Sequence, residues 1–391
     1  MEEFSFETIN SLILTKQHLT PNSKTDDIIQ ITTDLCGLHS TSQSTPYLSL
    51  FARSNNFKKE TLDEVAFEKK LMGKIRCMRK TVFIHPKETI PFYFNATKQQ
   101  YAKRHVDYLK NLGVSEEEYQ KNVKDIIEVL EKKALSVSQI KKELGTDVNV
   151  SAMVNLACDQ TLIIRNKPIK SWRDKRHTYS VFTNYFPDLD LDEVSEENGI
   201  KYMIRNYLHT YGPVTENDIV WWTGMNKTPV RSVIEELEKE ISKIFINETE
   251  KEYYILNSDL KQLEEIKIPK KDVLNFLPDL DPYLMGYKDR ERYIGEDHYN
   301  YLFDRSGNAA TSILVNGKVI GIWDFVSAKE PVIKMYFLEE IKKDVQKEIK
   351  KEANKVGQFI FDTEAELLEC DKMEPLKGRI PGEVLVPLKH C

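Results

Sequence analysis

Three times along this chain, stretches with one-face helical spacing lead into a short run of β-branched and aromatic residues. This recurrence limits the fold more than any single motif does. In the first round Ile9, Leu12 and Ile13, then Ile28, Ile31 and Leu35, then Leu62, Val65 and Ala66 mark helical faces, with a further helix from Pro46 to about Arg53. The segment 74–86 that follows reads as a bent strand or a hairpin. In the second round Ser115-x-x-Glu118 and Ser136-x-x-Gln139 are capping boxes that open two helices. A third helix covers about 150–160, and strands begin at Leu162-Ile163-Ile164 and Tyr179-Ser180-Val181-Phe182. The third round runs from Gly199 to about Tyr211, restarts at Thr215 and again at Thr228-Pro229, and ends in strands around Ile244-Phe245-Ile246 and Tyr253-Tyr254-Ile255. Helices followed by a small β element are the pattern of a winged helix. A repeat of architecture rather than of letters therefore predicts three of them in tandem.

From Val273 the period changes. Asn316-Gly317, between Ile313-Leu314-Val315 and Val319-Ile320-Gly321, has the chemistry of a tight hairpin, because both central residues of a type I′ turn need positive φ. Strands around 299–303, 322–325 and 332–337 complete a small C-terminal β-barrel, and a Lys/Glu-rich helix over 338–355 covers it. The expected fold class is α+β: three tandem winged-helix domains over 1–105, 106–187 and 198–268, then the barrel and its helix over 269–391. An acidic linker, 188–197, precedes the third domain.

Composition bounds the partner. A chain of 391 residues exceeds one ordinary core, and 40% apolar residues suffice to fill several. With 56 Lys and Arg against 62 Asp and Glu, the chain is net acidic, so any nucleic-acid surface must be a local patch. The five cysteines show no C-x-x-C spacing, so neither a zinc knuckle nor a disulfide frame is indicated. The Met1-Glu2-Glu3 start lacks a basic segment ahead of an apolar one, and no apolar run approaches the ~20 residues of a membrane span. The expectation is a soluble protein of the reducing cytoplasm.

The best place for chemistry is a polar turn between two helices. Gly37 stands where a left-handed helix cap belongs, Thr45 reads as the N-cap of the next helix with Pro46 at its first position, and His39, Thr41 and Gln43 lie between. A polar connection pinned between helices can hold side chains towards a ligand. The same residues would equally suit a solvated turn.

Two segments gather positive charge. Lys69, Lys70, Lys74, Arg76, Arg79 and Lys80 lie just downstream of the turn. The stretch 165–177 carries Arg165, Lys167, Lys170, Arg173, Lys175 and Arg176 around Trp172 and one acid, Asp174. A hairpin that enters a groove and binds phosphates is the functional expectation, and a solvated hairpin the plain alternative. Trp221 and Trp222 read as core. Asp281, Arg290 and Arg292 suit either an internal junction or a DNA contact. The chain has no phosphate-cradling glycine loop, no His-Glu-x-x-His and no nucleophile elbow, so no metal or cofactor is expected.

Taken in order, these segments resemble the AlkZ/YcaQ-like family of winged-helix DNA glycosylases. Lys16-Gln17-His18-Leu19 looks like its opening helix, and Gly37-Leu38-His39-Ser40-Thr41 through Leu48-x-Leu50-Phe51-Ala52-Arg53 like its catalytic turn and following helix. Met78-Arg79-Lys80-Thr81-Val82-Phe83 is similar to its first wing, and Gly212-Pro213-Val214-Thr215 with Trp221-Trp222-Thr223-Gly224 to its third unit. Leu277-Pro278-Asp279-Leu280-Asp281-Pro282-Tyr283-Leu284 looks like the start of its barrel. The resemblance implies a monofunctional DNA glycosylase, a monomer that hydrolyses the N-glycosidic bond of alkylated bases in damaged double-stranded DNA. The family's turn usually reads Gln, any residue, then Gln or Asp, and those two places fall on His39 and Thr41 here. A neutral imidazole accepts from water and a hydroxyl both donates and accepts, so His39 as base or water-holder with Thr41 as second contact preserves the role. A histidine base would titrate near 6.5. The implied DNA-binding set is Gln43, Arg53, Arg76, Arg79, Lys80 and Thr81 from the first unit, with Lys167, Lys170, Trp172, Arg173, Lys175 and Arg176 from the second. Because the turn departs from the usual pair, the alternative is a non-catalytic winged-helix DNA-binding protein, a regulator or a damage binder.

Overall fold

A computed structural model describes residues 3–146, 148–327, 330–376 and 388. Helix boundaries follow local chemistry closely. Ser115, Ser136 and Thr215 each form a reciprocal capping box, with Glu118, Gln139 and Asp218, so two backbone donors that the helix leaves unpaired are satisfied at each start. Gly113, Gly145 and Gly224 end helices in the left-handed conformation. The helix before the polar turn, Ile28–Asp34, is capped by Asp27 and closes through Cys36 at φ 56° and Gly37 at φ 99°. A Cβ at Gly37 would meet the His85 ring at 2.5 Å, so both conformation and space demand glycine there. The helix after the turn is Thr45–Arg53 with Pro46 in its first turn; Ser44 rather than Thr45 holds the N-cap place.

Three sheets carry the strands. The largest has six, in the order Leu38–His39, Val82–Pro86, Met72–Arg76, Ile163–Pro168, His177–Val181, Leu135–Ser136. The hairpin of the first helical set and that of the second are thus one sheet, joined antiparallel where Lys74 faces Arg165. The hairpin Ile241–Ile246 and Glu252–Leu256 takes Glu3–Phe4 as a third, parallel strand.

The C-terminal sheet departs from expectation. Among the described residues its five strands run Leu274–Leu277, Ser312–Val315, Lys318–Val326, Val332–Phe337, Glu366–Glu369, and they are open at both ends and close no barrel. The helix Lys343–Phe361 explains why closure is unnecessary. It lays Ile349, Ala353, Val356 and Ile360 on Phe276, Ile313, Trp323 and Ile333, burying one face as a second layer. The hairpin at Asn316-Gly317 forms with both residues at positive φ. Residues 299–303, expected as a strand, lie mostly within the helix Glu296–Leu302. Its first turn carries Glu296 and Asp297, which suit the positive end of a helix dipole.

The largest core cluster draws residues from Ile9 to Leu376, while the second helical set keeps its own core around Tyr119, Met153 and Ile163. Trp222 is buried in the large cluster, and Trp221 lies between the guanidinium groups of Arg79 at 4.0 Å and Arg290 at 5.0 Å. Cys36, Cys77 and Cys158 are buried free thiols. Among the described residues no helix is long and apolar enough to cross a membrane.

Candidate active site

The polar turn is fixed from both ends. Leu38 and His39 enter the large sheet opposite Ile84 and Phe83, and the Ser40 amide donates to the Val82 carbonyl at 2.8 Å. At the other end Thr45 Oγ1 donates to Asp279 Oδ1 at 2.8 Å, so the C-terminal segment clamps the start of the next helix. What lies between is held at a set height over the sheet.

A cavity of about 360 Å³ opens beside it. Ser40, Thr41 and Gln43 line it from the turn; Lys74, Arg76, Lys80, Thr81 and Val82 from the first hairpin. Ser151 and Asn155 come from the helix Val150–Asp159, and Arg165, Lys175, His177 and Tyr179 from the second hairpin. Lys74, Arg76 and Lys80 of one basic segment and Arg165 and Lys175 of the other therefore face one space, because their hairpins share a sheet. No lining residue is a carboxylate.

Its electrostatics follow from burial. Lys74 is only 5% exposed, and its Nζ donates to Gln43 Oε1 at 3.2 Å. Desolvation, then the neighbouring Arg165, pushes its ammonium down to about 7. Arg165 is 8% exposed; Nη2 donates to Asn155 Oδ1 at 2.8 Å, while Nη1 is buried without a partner. His177 pairs Nδ1 with the Asn166 carbonyl at 3.0 Å, and burial followed by the charge of Lys74 lowers it to about 3. Arg76 is tied to Asp159 at 2.5 Å and to the Lys80 carbonyl at 2.6 Å.

His39 departs from the expected titration. It is 3% exposed, edge-on to Phe83 at 4.9 Å, and lies behind the turn rather than in the cavity wall. The Thr41 amide approaches its Nδ1 at a long 3.5 Å. Burial, then the field of Arg79, lowers its pKa to about 3, so the ring is neutral at any working pH and a transition near 6.5 is not available. Thr41 itself is exposed at the cavity.

The remaining sequence-derived candidates divide. Lys80, Thr81, Arg76, Gln43 and Lys175 line the cavity. Arg53 does not, and is corrected here to a structural residue. It is 0% exposed, its Nη1 and Nη2 reach both oxygens of Asp281 at 2.8 and 2.7 Å, and its Nε donates to the Gln17 carbonyl at 3.0 Å. Each guanidinium nitrogen is hydrogen-bonded and the side chain is fully buried, so it is out of reach of a phosphate. Arg79, at φ 51°, turns to Trp221. Trp172 packs between Tyr47 at 5.4 Å and Phe359 at 5.9 Å, and Arg173 donates to Ser327 Oγ at 2.8 Å. Lys167 pairs with Asp63 and Arg176 with Asp174, each at 2.8 Å. The tip of the second hairpin thus leans on the C-terminal helix, and Lys167, Lys170, Trp172 and Arg173 line a separate groove there. Asp281, Arg290 and Arg292 form the internal junction: Arg290 lies over Phe303 at 3.6 Å and Arg292 over Tyr287 at 4.0 Å.

Lys74, Arg165, His177 and Asn155 were not singled out by sequence as site residues. A signal existed for two of them: Lys74 precedes Ile75 and Arg165 follows Ile163-Ile164 in strand-forming runs, and cations buried in such runs are rarely without a role.

Residues 32–359 match the family described as DNA glycosylase AlkZ-like. The fold is shared with Streptomyces sahachiroi DNA glycosylase AlkZ at a TM-score of 0.75 and 15% identity, covering 94% of this chain and 100% of that one. No curated protein matches by sequence.

Proposed function

The chain belongs to the AlkZ-like DNA glycosylase family, and from that premise we propose that it removes an alkylated purine from duplex DNA, holding the sugar in the cavity beside the polar turn. The observation that carries this reading is a cavity walled by the turn and by both basic hairpins with no carboxylate among its lining residues. Lys80, Lys175 and the spare Arg165 donor suit the phosphates on either side of an extruded nucleotide. A purine alkylated on a ring nitrogen already carries positive charge and leaves as a neutral base. It needs no general acid, which fits a wall without carboxyl groups. What it needs is a placed water at C1′. Thr41, at the cavity, holds and orients that water, and Gln43 supplies an amide one turn position further on. His39, neutral behind them, accepts from the same network through an uncharged ring. Positioning and proton acceptance of this kind contribute about 10²–10⁴-fold in rate.

The finer architecture belongs to the same proposal. The three helical sets with their hairpins are read as winged helices over 1–105, 106–187 and 198–268, the first two presenting one fused sheet to DNA. The test is single-turnover release of free methylated purine from duplex, with protein in excess and the base read directly by chromatography. Release well above the uncatalysed rate is expected. Tight DNA binding with no base released would leave a DNA-binding protein without the chemistry.

A further inference from the structure

Lys74 differs from Lys16, whose side chain is also shielded from solvent. Lys16 is matched by Asp259 at 2.8 Å, both side chains shielded from solvent. Lys74 makes no ion pair among the described residues; its hydrogen bond is to a neutral amide, Gln43 Oε1. A lysine needed only to neutralise phosphate would do so better from the surface, where its charge costs nothing to keep. A lysine needed only for packing would be paired or replaced by an apolar residue in this strand. Lys74 instead lies in the wall of the cavity proposed to hold the sugar, together with Thr41 and Gln43.

The groups facing it set its chemistry. Arg165 stands opposite across the strand pair, His177 is a further cavity residue, and Asp63 is the one acid that opposes their effect. Desolvation, the largest cause, and Arg165 push the ammonium down to about 7, which favours the neutral amine far more than at a solvated lysine. Neutral lysine amines in such surroundings are nucleophiles towards carbonyl carbon.

We propose that Lys74 forms an imine with C1′ of the abasic sugar left in the cavity after base removal, giving the protein a second, strand-nicking activity of the β-lyase type. This rests on the glycosylase reading for its position but adds a separate reaction. The abasic sugar opens to its aldehyde; the Lys74 nitrogen adds to C1′, and water leaves to give the protonated imine. A proton is then lost from C2′ to solvent water, the C3′–O bond breaks, and the 3′ phosphate departs with its electron pair. Water hydrolyses the imine, releasing an unsaturated aldehyde on the 3′ end and restoring the amine. No oxidant, reductant or metal enters the balance. The spare Nη1 donor of Arg165, buried in the same wall, suits the departing phosphate.

The experiment uses the full chain and duplex DNA in which the abasic site has been made beforehand, so base removal is not required. Reaction in the presence of borohydride should give a protein–DNA adduct that survives denaturation, and peptide mapping should place the reduced link on Lys74. Without borohydride the same DNA should be nicked, and both signals should be lost in Lys74→Gln and Lys74→Arg proteins that keep a cooperative unfolding transition. Mapping on the unmodified protein decides the matter even if both variants misfold. An adduct on another amine, or none, would overturn the proposal while leaving base removal untouched. Failure to release alkylated base from DNA that still gives the Lys74 adduct would overturn the glycosylase reading instead.

Discussion

Two sets of buried cations divide this molecule. At the junction between the polar turn's helix and the C-terminal segment, Arg53 bonds through all three guanidinium nitrogens to Asp281, Gln17 and Ser49. Around the cavity, Lys74 and Arg165 are nearly as buried, yet one is bonded to an amide and the other keeps a donor without a partner. Both places hold buried cations; they differ in how fully those cations are matched. A buried charge that is fully matched is a structural fastening, and one left short of partners in a cavity wall is waiting for a ligand. An unmatched donor marks the site only together with the cavity, since Arg292 in the junction also keeps Nε and Nη2 without partners.

The contrast can be broken most severely at Arg53. Arg53→Ala leaves Asp281 buried without its partner and should cost about 3–5 kcal/mol in denaturant unfolding. Whatever remains folded at low denaturant should bind duplex DNA with an unchanged salt slope; a flattened slope would move Arg53 into the interface. Next comes Trp172→Ala, expected to cost about 2 kcal/mol because the ring is half-buried against Tyr47 and Phe359, short of the cost of a full core truncation. A loss of DNA affinity without loss of stability would show the ring reading DNA instead.

On the cavity side, Lys80→Ala and Lys175→Ala should leave the unfolding midpoint where it is. Each should reduce the slope of log K against log salt by about 0.9 if it contacts one phosphate. Titration probes the same comparison without a substitution. His39 and His177 both have pKa values lowered to about 3 by burial, below the unfolded value of 6.5, so the unfolded chain binds the extra protons. Their contribution to stability is complete above pH 6.5 and is lost progressively as pH falls towards 3, visible as a declining unfolding free energy over that window. The excision rate should pass through 6.5 without an inflection from either ring.

Legibility followed the range of the interactions involved. The capping boxes at Ser115, Ser136 and Thr215, the stops at Gly145 and Gly224, and the Asn316-Gly317 hairpin are decided within a few residues, and their letters announce them. The turn bearing His39, Thr41 and Gln43 was legible for the same reason. The pairing of Lys74 with Arg165 was not, since register between strands so distant in sequence has no local signal. That single pairing converts two hairpins into one sheet and brings cations of both basic segments to one cavity. The barrel failed as an expectation because nothing local says whether a sheet closes or is covered. Here the helix Lys343–Phe361 covers it. Arg53 failed similarly: a helix-terminal arginine reads as a surface cation until Asp281, from the far end of the chain, is placed against it.

The central claim is that the base is released at the polar turn's cavity. Thr41 tests it most directly, because it is exposed, carries no structural hydrogen bond through its side chain among the described residues, and lines the cavity. The measurement is single-turnover release of methylated purine by Thr41→Ala protein beside the unmodified chain, with duplex affinity determined on the same samples. A fall in release of about 10²-fold or more, at nearly constant affinity and stability, is the expected result. Release at the unmodified rate with the same affinity would contradict the account and place the chemistry elsewhere in the molecule.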